Sequence, residues 1–241
     1  LPRFFITPEQ VNGAVISVAD EAVRPIAAVL RMRTGDELLL CDGSGTEYRA
    51  RITELGKEVV KSEVVEQRTR VRNGPDITLG QGIAKADKMD WIVQKATELG
   101  VASLVPLETE RTIVKVKDEE KRISRWQKIC REAAMQSNRT DVPRVEPIRS
   151  LNDFLRNQVF EPGMLLLLPW EDATGPLKAV LRSQQDVKRV VVLIGPEGGF
   201  SRNEADLAMS RGFHAVSLGQ NILRTETAAL AVLGMIGYEF A

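Results

Sequence analysis

From Asp76 onward the chain alternates apolar runs with amphipathic stretches, and no other feature narrows the possible fold as much. ITLGQGIA, SLVPLE, MLLLLP, RVVVLIG and AVSLG are near-continuous apolar segments rather than alternating ones. A strand that is apolar on both faces must be covered on both faces, which requires a parallel sheet flanked by helices. The intervening KADKMDWIVQKATELGV predicts such a helix, with Asp87 capping its start and Gly100 ending it. Met89, Ile92, Val93, Ala96 and Leu99 fall on one face of it. A longer helix is expected across EEKRISRWQKICREAAMQS, turning Ile123, Trp126, Ile129, Cys130 and Ala133 inward. The fold class is α/β.

Before Asp76 the pattern is different. AVISVA, ELLLCDG, TEYRARITEL and EVVKSEVVEQ are short, β-rich and separated by turn residues. Cys41 to Arg51 reads as a hairpin, with Asp42-Gly43 and Gly45 supplying positive φ. One helical stretch, DEAVRPIAAVLRM, interrupts the strands, and Pro25 suits its first turn. QRTRVRNGPD then reads as a charged linker ending in a Gly-Pro break. The expectation is a small β-barrel over residues 1–72 and an α/β domain over residues 73–241.

Composition excludes several classes. At 43% hydrophobic and 27% charged residues the chain can bury a core in water. No apolar run approaches the ~20 residues of a membrane span, and the opening LPRFFITPEQ lacks a signal-peptide core. A cytoplasmic location is expected. Cys41 and Cys130 stand far apart and there is one histidine, so neither a disulfide framework nor a metal site is expected. His214 reads as a structural strand residue. The 33 basic and 33 acidic residues balance, which argues against general polyanion binding and permits only a local basic face.

The chemistry-bearing stretch is VVVLIGPEGGFSRNEADLA. Gly195-Pro196-Glu197-Gly198-Gly199 follows the VVVLI strand, at the carboxyl end where open α/β sheets bind ligands. Ser201 with Glu204 forms a capping box that satisfies the first N–H groups of the next helix. Pro196 removes a further donor, and Glu197 puts negative charge where a phosphate would sit. Neither dinucleotide nor P-loop spacing is present. A neutral or cationic small ligand suits this turn better than an anion.

Downstream, VSLGQNILRTETAALAVLGMI places a strand end, a short loop and a helix starting near Thr225. The helix is apolar almost all round, so it is buried or faces a partner subunit. At its start stands Arg224-Thr225-Glu226-Thr227. In one reading Thr225 is an N-cap and Glu226 complements the helix dipole. In the other, Arg224 and Glu226 line a site built from two adjacent strand ends.

Taken together, RFF at Arg3, VLRMRTGDELLLCDGSG, KADKMDWIVQKATELGV, PLETERTIVK, RWQKICREAAMQSNRTDVP, LIGPEGGFS and LGQNILRTETAAL resemble the SPOUT class of S-adenosylmethionine-dependent RNA methyltransferases. Within it they are similar to the bacterial family that methylates N3 of a uridine in 16S ribosomal RNA. LLLLPWEDATGPL matches that pattern only loosely. The resemblance implies a PUA-like barrel that grips RNA, followed by a trefoil-knotted α/β domain that dimerises. The knot is no product of patterning, since chains are ordinarily unknotted. The implied cofactor is S-adenosylmethionine, held by Leu168 and Pro169, by Ile194, Gly195, Glu197, Gly198 and Gly199, and by Leu218, Gly219, Gln220, Ile222 and Leu223. Thr227 and Ala228 stand behind the third loop. A sulfonium without phosphate agrees with the electrostatics of the turn.

Uracil N3 carries a proton that must leave before or during methyl transfer, so an acceptor or an anion-stabilising cation is required. Arg224 is the first candidate for catalysis, with Glu226 and Glu197 behind it. The target base must be unpaired or flipped out, because N3 lies on the pairing edge. Candidates for RNA contact are Arg3, Arg31, Arg33, Lys85, Lys88, Arg111, Lys115 and Arg139. The expected partner is 16S rRNA within the small subunit. The alternatives are a non-enzymatic ribosome-assembly factor, which needs no small-molecule cradle, and a ribose 2′-O-methyltransferase of the same fold.

Overall fold

The computed structural model describes residues 1–19, 22–70 and 73–240. The chain divides into two compact units, Leu1–Val71 with Ala134–Val142, and Arg72–Ala133 with Pro143–Ala241. The boundary expected at residues 72 and 73 falls on Arg72, outside the described residues. The segment 134–142, read from sequence as part of the second domain, belongs to the first unit.

The first unit is a six-stranded sheet. Its order is β1 (Arg3–Phe5), β4 (Glu37–Cys41), β5 (Thr46–Leu55), β6 (Val59–Thr69), β3 (Val15–Ala19) and β2 (Val11–Asn12). All neighbours are antiparallel except β1 on β4. Register shifts at Arg49/Ala50 and Ile52/Glu54 bend the long β5–β6 pair, and a bulged strand twists more strongly. The sheet thereby folds over a core that includes Phe4, Ile16, Val18, Leu38, Leu40, Ile52 and Val60. Gly43 and Gly45 take φ of 78° and 115° in the β4–β5 hairpin, as its sequence requires.

The helix expected from Asp20 begins outside the described residues. From Ala22 the described chain is helical and passes into a π-helix, Pro25–Val29, with Pro25 at its first position and the Leu30 N–H donating to the Pro25 carbonyl at 2.9 Å. Arg31 then takes φ of 52°, which ends the helical path.

Arg3 and Arg139, expected to contact RNA, are both mostly shielded and paired within the protein. Arg3 is 2.7 Å from Glu47 and donates to the Arg139 carbonyl, while Arg139 pairs with Asp141 at 2.6 Å. Both side chains are only 10% exposed. They tie segment 134–142 to the sheet beside the apolar contact of Ala134 with Phe5 and Cys41. Sequence shows two surface cations here; packing makes them internal crosslinks.

The second unit is a seven-stranded, all-parallel sheet. Its order is β10 (Arg149–Ser150), β8 (Ser103–Glu108), β7 (Asp76–Gly82), β12 (Arg189–Ile194), β11 (Leu165–Pro169) and β13 (His214–Val216), with β9 (Arg144–Val145) beside β8. The helices are α1 (Ala86–Glu98), α2 (Glu119–Gln136), α3 (Leu151–Asn157), α4 (Leu177–Arg182), α5 (Arg202–Ser210) and α6 (Thr225–Phe240). β11 and β12 are buried along nearly their whole length, as continuous apolar runs demand. One core joins Leu107, Leu168, Leu193 and Phe213 of the sheet region to Phe154 of α3 and Ala205 of α5.

Two details of α1 differ from expectation. Lys85, not Asp87, is its N-cap, and no side chain of the segment caps it. The carboxylate at this helix start comes from Glu197, which accepts the Lys85 N–H at 3.1 Å. Leu99 is exposed because it is the C-cap, where the helix unwinds into Gly100 at φ 88°. In α2, Trp126, Cys130 and Ala133 are buried, whereas Ile123 and Ile129 are only half-buried. Among the described residues no helix is long and apolar enough to cross a membrane.

Candidate active site

β11, β12 and β13 end at Pro169, Ile194 and Val216, and in the order β12-β11-β13 they are neighbours. Parallel pairing puts all three carboxyl ends on one edge, so three loops far apart in sequence meet there. They enclose a cleft of ≈ 400 Å³, within the usual range for small-molecule sites.

The 195–199 turn is tightly closed. The Gly199 N–H donates to the Pro196 carbonyl at 2.9 Å. A methyl group on Gly195 would lie 2.8 Å from Gly199 backbone, and one on Gly199, at φ 68°, would lie 2.8 Å from the Glu171 carboxylate. The glycines are therefore needed by the turn's own contacts. Gly219 differs: it takes φ of 135° with open space around it. The capping box of α5 is present, Ser201 accepting from the Glu204 N–H and the Glu204 carboxylate from the Ser201 N–H at 2.8 Å. Glu204 also accepts the Glu110 N–H at 2.8 Å, so this helix start is satisfied by the protein.

Behind the turn, Thr225 is not the N-cap that one of the two readings made it. It is buried and already helical. Its hydroxyl donates to the Gly195 carbonyl at 2.6 Å and accepts from Gln81 Nε2 at 2.9 Å. Gln81, buried at the end of β7, also donates to the Gly82 carbonyl. Three elements are locked together at one hydroxyl.

The third loop runs from Ser217 to Arg224. Ser217 is held by backbone bonds with Gly175 and Leu177. Among the described residues, the backbone N–H groups of Gln220, Asn221, Ile222 and Leu223 make no hydrogen bond. Arg224 is exposed at the rim, its guanidinium without a partner among the described residues.

Most of the expected cofactor residues line this cleft: Pro169, Ile194, Gly195, Glu197 and Gly199, then Leu218, Gly219, Gln220, Ile222, Leu223 and Ala228. Leu168 does not, being fully buried in the core below. Gly198 turns away and packs on Arg111, and Thr227 sits on the exposed side of α6. Trp170, Glu171 and Phe200 line the cleft without having been singled out from sequence. Trp170 lies under the Arg202 guanidinium, 5.2 Å from the ring centroid.

The charged candidates separate. Glu197 faces the cleft. Burial pushes its carboxyl up, but bonds from the Lys85 N–H and its own N–H, with Lys88 beside it, outweigh that and hold it below the usual value. Glu226 is not on the cleft wall; it turns to Lys88, 3.6 Å away. Lys88, expected on the RNA face, lines the cleft instead. Arg111 donates to the Gly198 carbonyl at 2.7 Å and bridges to Glu171 at 3.8 Å, so it braces the turn. Arg31, Arg33, Lys85 and Lys115 are exposed. His214 is exposed at the amino end of β13, opposite the cleft. Among the described residues no three His, Cys, Asp or Glu side chains are grouped to hold a metal ion.

Residues 72–237 match the family model of an RNA methyltransferase domain, and residues 18–65 that of an RNA methyltransferase PUA domain. Over 251 residues the chain is 33% identical to the ribosomal RNA small subunit methyltransferase E of Bacillus subtilis (strain 168), covering 99% of this chain and 97% of that protein. The chain belongs to this methyltransferase family. A second small subunit methyltransferase E, from Synechocystis sp., is 33% identical over 236 residues, covering 97% of this chain and 76% of that protein. The Neisseria gonorrhoeae small subunit methyltransferase E, solved bound to S-adenosyl methionine, superposes with a TM-score of 0.86 at 34% identity. It covers 100% of this chain and 98% of that one. A Legionella pneumophila methyltransferase solved with bound SAM gives 0.83 at 32%, covering 98% and 96%. The first unit is thus the family's PUA-like β domain and the second its parallel-sheet α/β domain of the SPOUT type.

Proposed function

We propose that the chain is an S-adenosylmethionine-dependent methyltransferase of small-subunit ribosomal RNA, modifying N3 of a uridine, and that it works as a homodimer. The observation that carries this reading is the three-loop cleft, with backbone donors in one wall and the Arg224 guanidinium at its rim that are unpaired among the described residues.

The residues present fit the cofactor. Ile194, Leu218, Leu223 and Ala228 offer apolar contact, and the 220–223 backbone offers donors. The capped start of α5 and the carboxylates of Glu171 and Glu197 disfavour phosphate and tolerate a cation. When bound, the sulfonium supplies the activated methyl group. The protein holds base and cofactor in line, which alone is worth ~7–11 kcal/mol.

Arg224 stabilises the negative charge that develops on the uracil as its N3 proton leaves. Its planar fork reaches two acceptors at once. Glu197, held ionised by its hydrogen bonds, is a weak proton acceptor. Arg31, Arg33, Lys85 and Lys115 remain exposed for the surrounding RNA. Dimerisation is supported by α6, whose outward face presents Gly234, Met235 and Tyr238.

Mass spectrometry of nucleosides from small-subunit rRNA, with and without the protein, tests the reading. Loss of 3-methyluridine on deletion is expected. Loss of a 2′-O-methylated nucleoside instead would move the chemistry to the ribose, and no change in any methylated nucleoside would leave an assembly factor.

A further inference from the structure

One lysine stands between two carboxylates that sequence reasoning treated as separate candidates. Lys88 Nζ is 3.6 Å from Glu197 Oε1 and 3.6 Å from Glu226 Oε2. Glu197 belongs to the turn after β12 and Glu226 to the first turn of α6. The two oxygens therefore lie within twice that distance of each other, inside the ~8 Å screening length of physiological salt. All three side chains are largely shielded, with 34%, 25% and 17% exposure. Among the described residues Glu226 Oε2 is buried without a hydrogen-bond partner, and Lys88 is the ion-pair partner of this carboxylate. A charge buried in that way is costly when its partner is removed.

The chain builds this deliberately from local geometry. Lys85 caps α1 and gives its N–H to Glu197; Lys88, one turn on, lies on the same side of the helix. α1 packs along α6, which brings Lys88 to Glu226. Of the three groups Lys88 and Glu197 line the cleft, while Glu226 stands behind them.

We propose that Lys88 is a positioning residue of the transfer site, its single ammonium drawing the 195–199 turn and the start of α6 together so that the two walls meeting there keep their spacing. Glu226 acts through Lys88 and not on the base. The inference rests on the methyltransferase reading above. Without the lysine the two carboxylates repel, and the turn that carries Gly195 and the start of α6, just after Arg224, shift against the Thr225 hydrogen bond that still joins them.

The test uses the full-length protein with Lys88→Met, Lys88→Arg, Glu226→Gln and the double variant Lys88→Met/Glu226→Gln. Transfer of labelled methyl groups from S-adenosylmethionine to small-subunit rRNA gives kcat and KM. Lys88→Met is expected to lower kcat about tenfold while KM for RNA changes little, the scale of a lost contact-pair coupling. Lys88→Arg restores most of the rate, and Glu226→Gln in the Lys88→Met background recovers part of it by removing the repulsion. A raised KM for RNA with kcat intact would make Lys88 an RNA contact and overturn the proposal. Strictly additive losses would overturn it as well, since no coupling would exist. The same cycle is read by thermal unfolding, which needs neither cofactor nor RNA. If the wild type transfers no methyl group and binds no S-adenosylhomocysteine, the functional reading fails, whereas a non-additive unfolding cycle still supports the clamp. Should Lys88→Met not fold, Lys88→Arg against Lys88→Gln supplies the comparison.

Discussion

The Thr225 hydroxyl donates to the Gly195 carbonyl at 2.6 Å, joining the first residue of α6 to the turn after β12. Because the same hydroxyl accepts from Gln81, the ends of β7 and β12 and the start of α6 move as one body. Thr225→Val keeps the shape and removes the donor. It should cost about 1–2 kcal/mol in denaturant unfolding and weaken S-adenosylhomocysteine binding in calorimetry. Thr225→Ser should restore both. Wild-type stability in the valine variant would show that the hydroxyl is dispensable.

Arg224 has no protein partner among the described residues, so its removal leaves nothing buried unpaired. Arg224→Ala should keep cofactor affinity and the unfolding midpoint while lowering the methylation rate by roughly 10²-fold, the scale for one lost transition-state donor. Arg224→Lys should recover little, because a point charge does not reproduce the planar fork. A fall in cofactor affinity would make the residue a binding group instead.

The outward face of α6 carries Gly234, with Met235 and Tyr238 at 41% and 87% exposure. A carboxylate on an interface between copies would be desolvated without a partner. A dimer is expected of the wild type in light scattering, and Met235→Glu with Tyr238→Glu should turn it into a monomer. The same pair on a free surface would change solubility alone.

Glu197 has a carboxyl held below its ordinary value of 4.5, because three hydrogen-bonding and charge contacts outweigh its burial. A depressed native pKa stabilises the fold above the unfolded value, and that contribution disappears as pH falls through the native one. The stability difference between wild type and Glu197→Gln should thus be constant from neutral pH to about pH 5 and shrink below it. A difference that grows on acidification would reverse the assignment.

Arg3 and Arg139 are internal. Arg3→Ala leaves Glu47 unpaired in a partly buried position and should cost about 3 kcal/mol. The unfolding midpoint should drop, with RNA affinity of the remaining folded protein little changed. A residue that served RNA alone would show the opposite pattern.

Local periodicity made much of this protein legible. Apolar runs such as RVVVLI point to interior parallel strands, the S-x-x-E of Ser201 and Glu204 to a helix start, and Gly43 and Gly45 to a hairpin, all because these effects act within one or two turns of chain. The GPEGG turn likewise carries its preference against phosphate in its own residues, since its charge and missing donor are local properties. Other assignments depended on partners from other elements, well beyond one or two turns of chain. Arg3 looks like a surface cation until Glu47 and the 134–142 segment close over it. Thr225 looks like a cap until the Gly195 carbonyl arrives beneath it. Lys88 looks like an RNA contact, and Glu197 and Glu226 like independent candidates, until the packing of α1 on α6 places one ammonium between two carboxylates. Sequence dictates which groups a chain carries and which elements they ride on. Only the strand order and helix packing decide which charges meet, because electrostatic and hydrogen-bonding energies depend on distance in space, and distance along the chain does not report it.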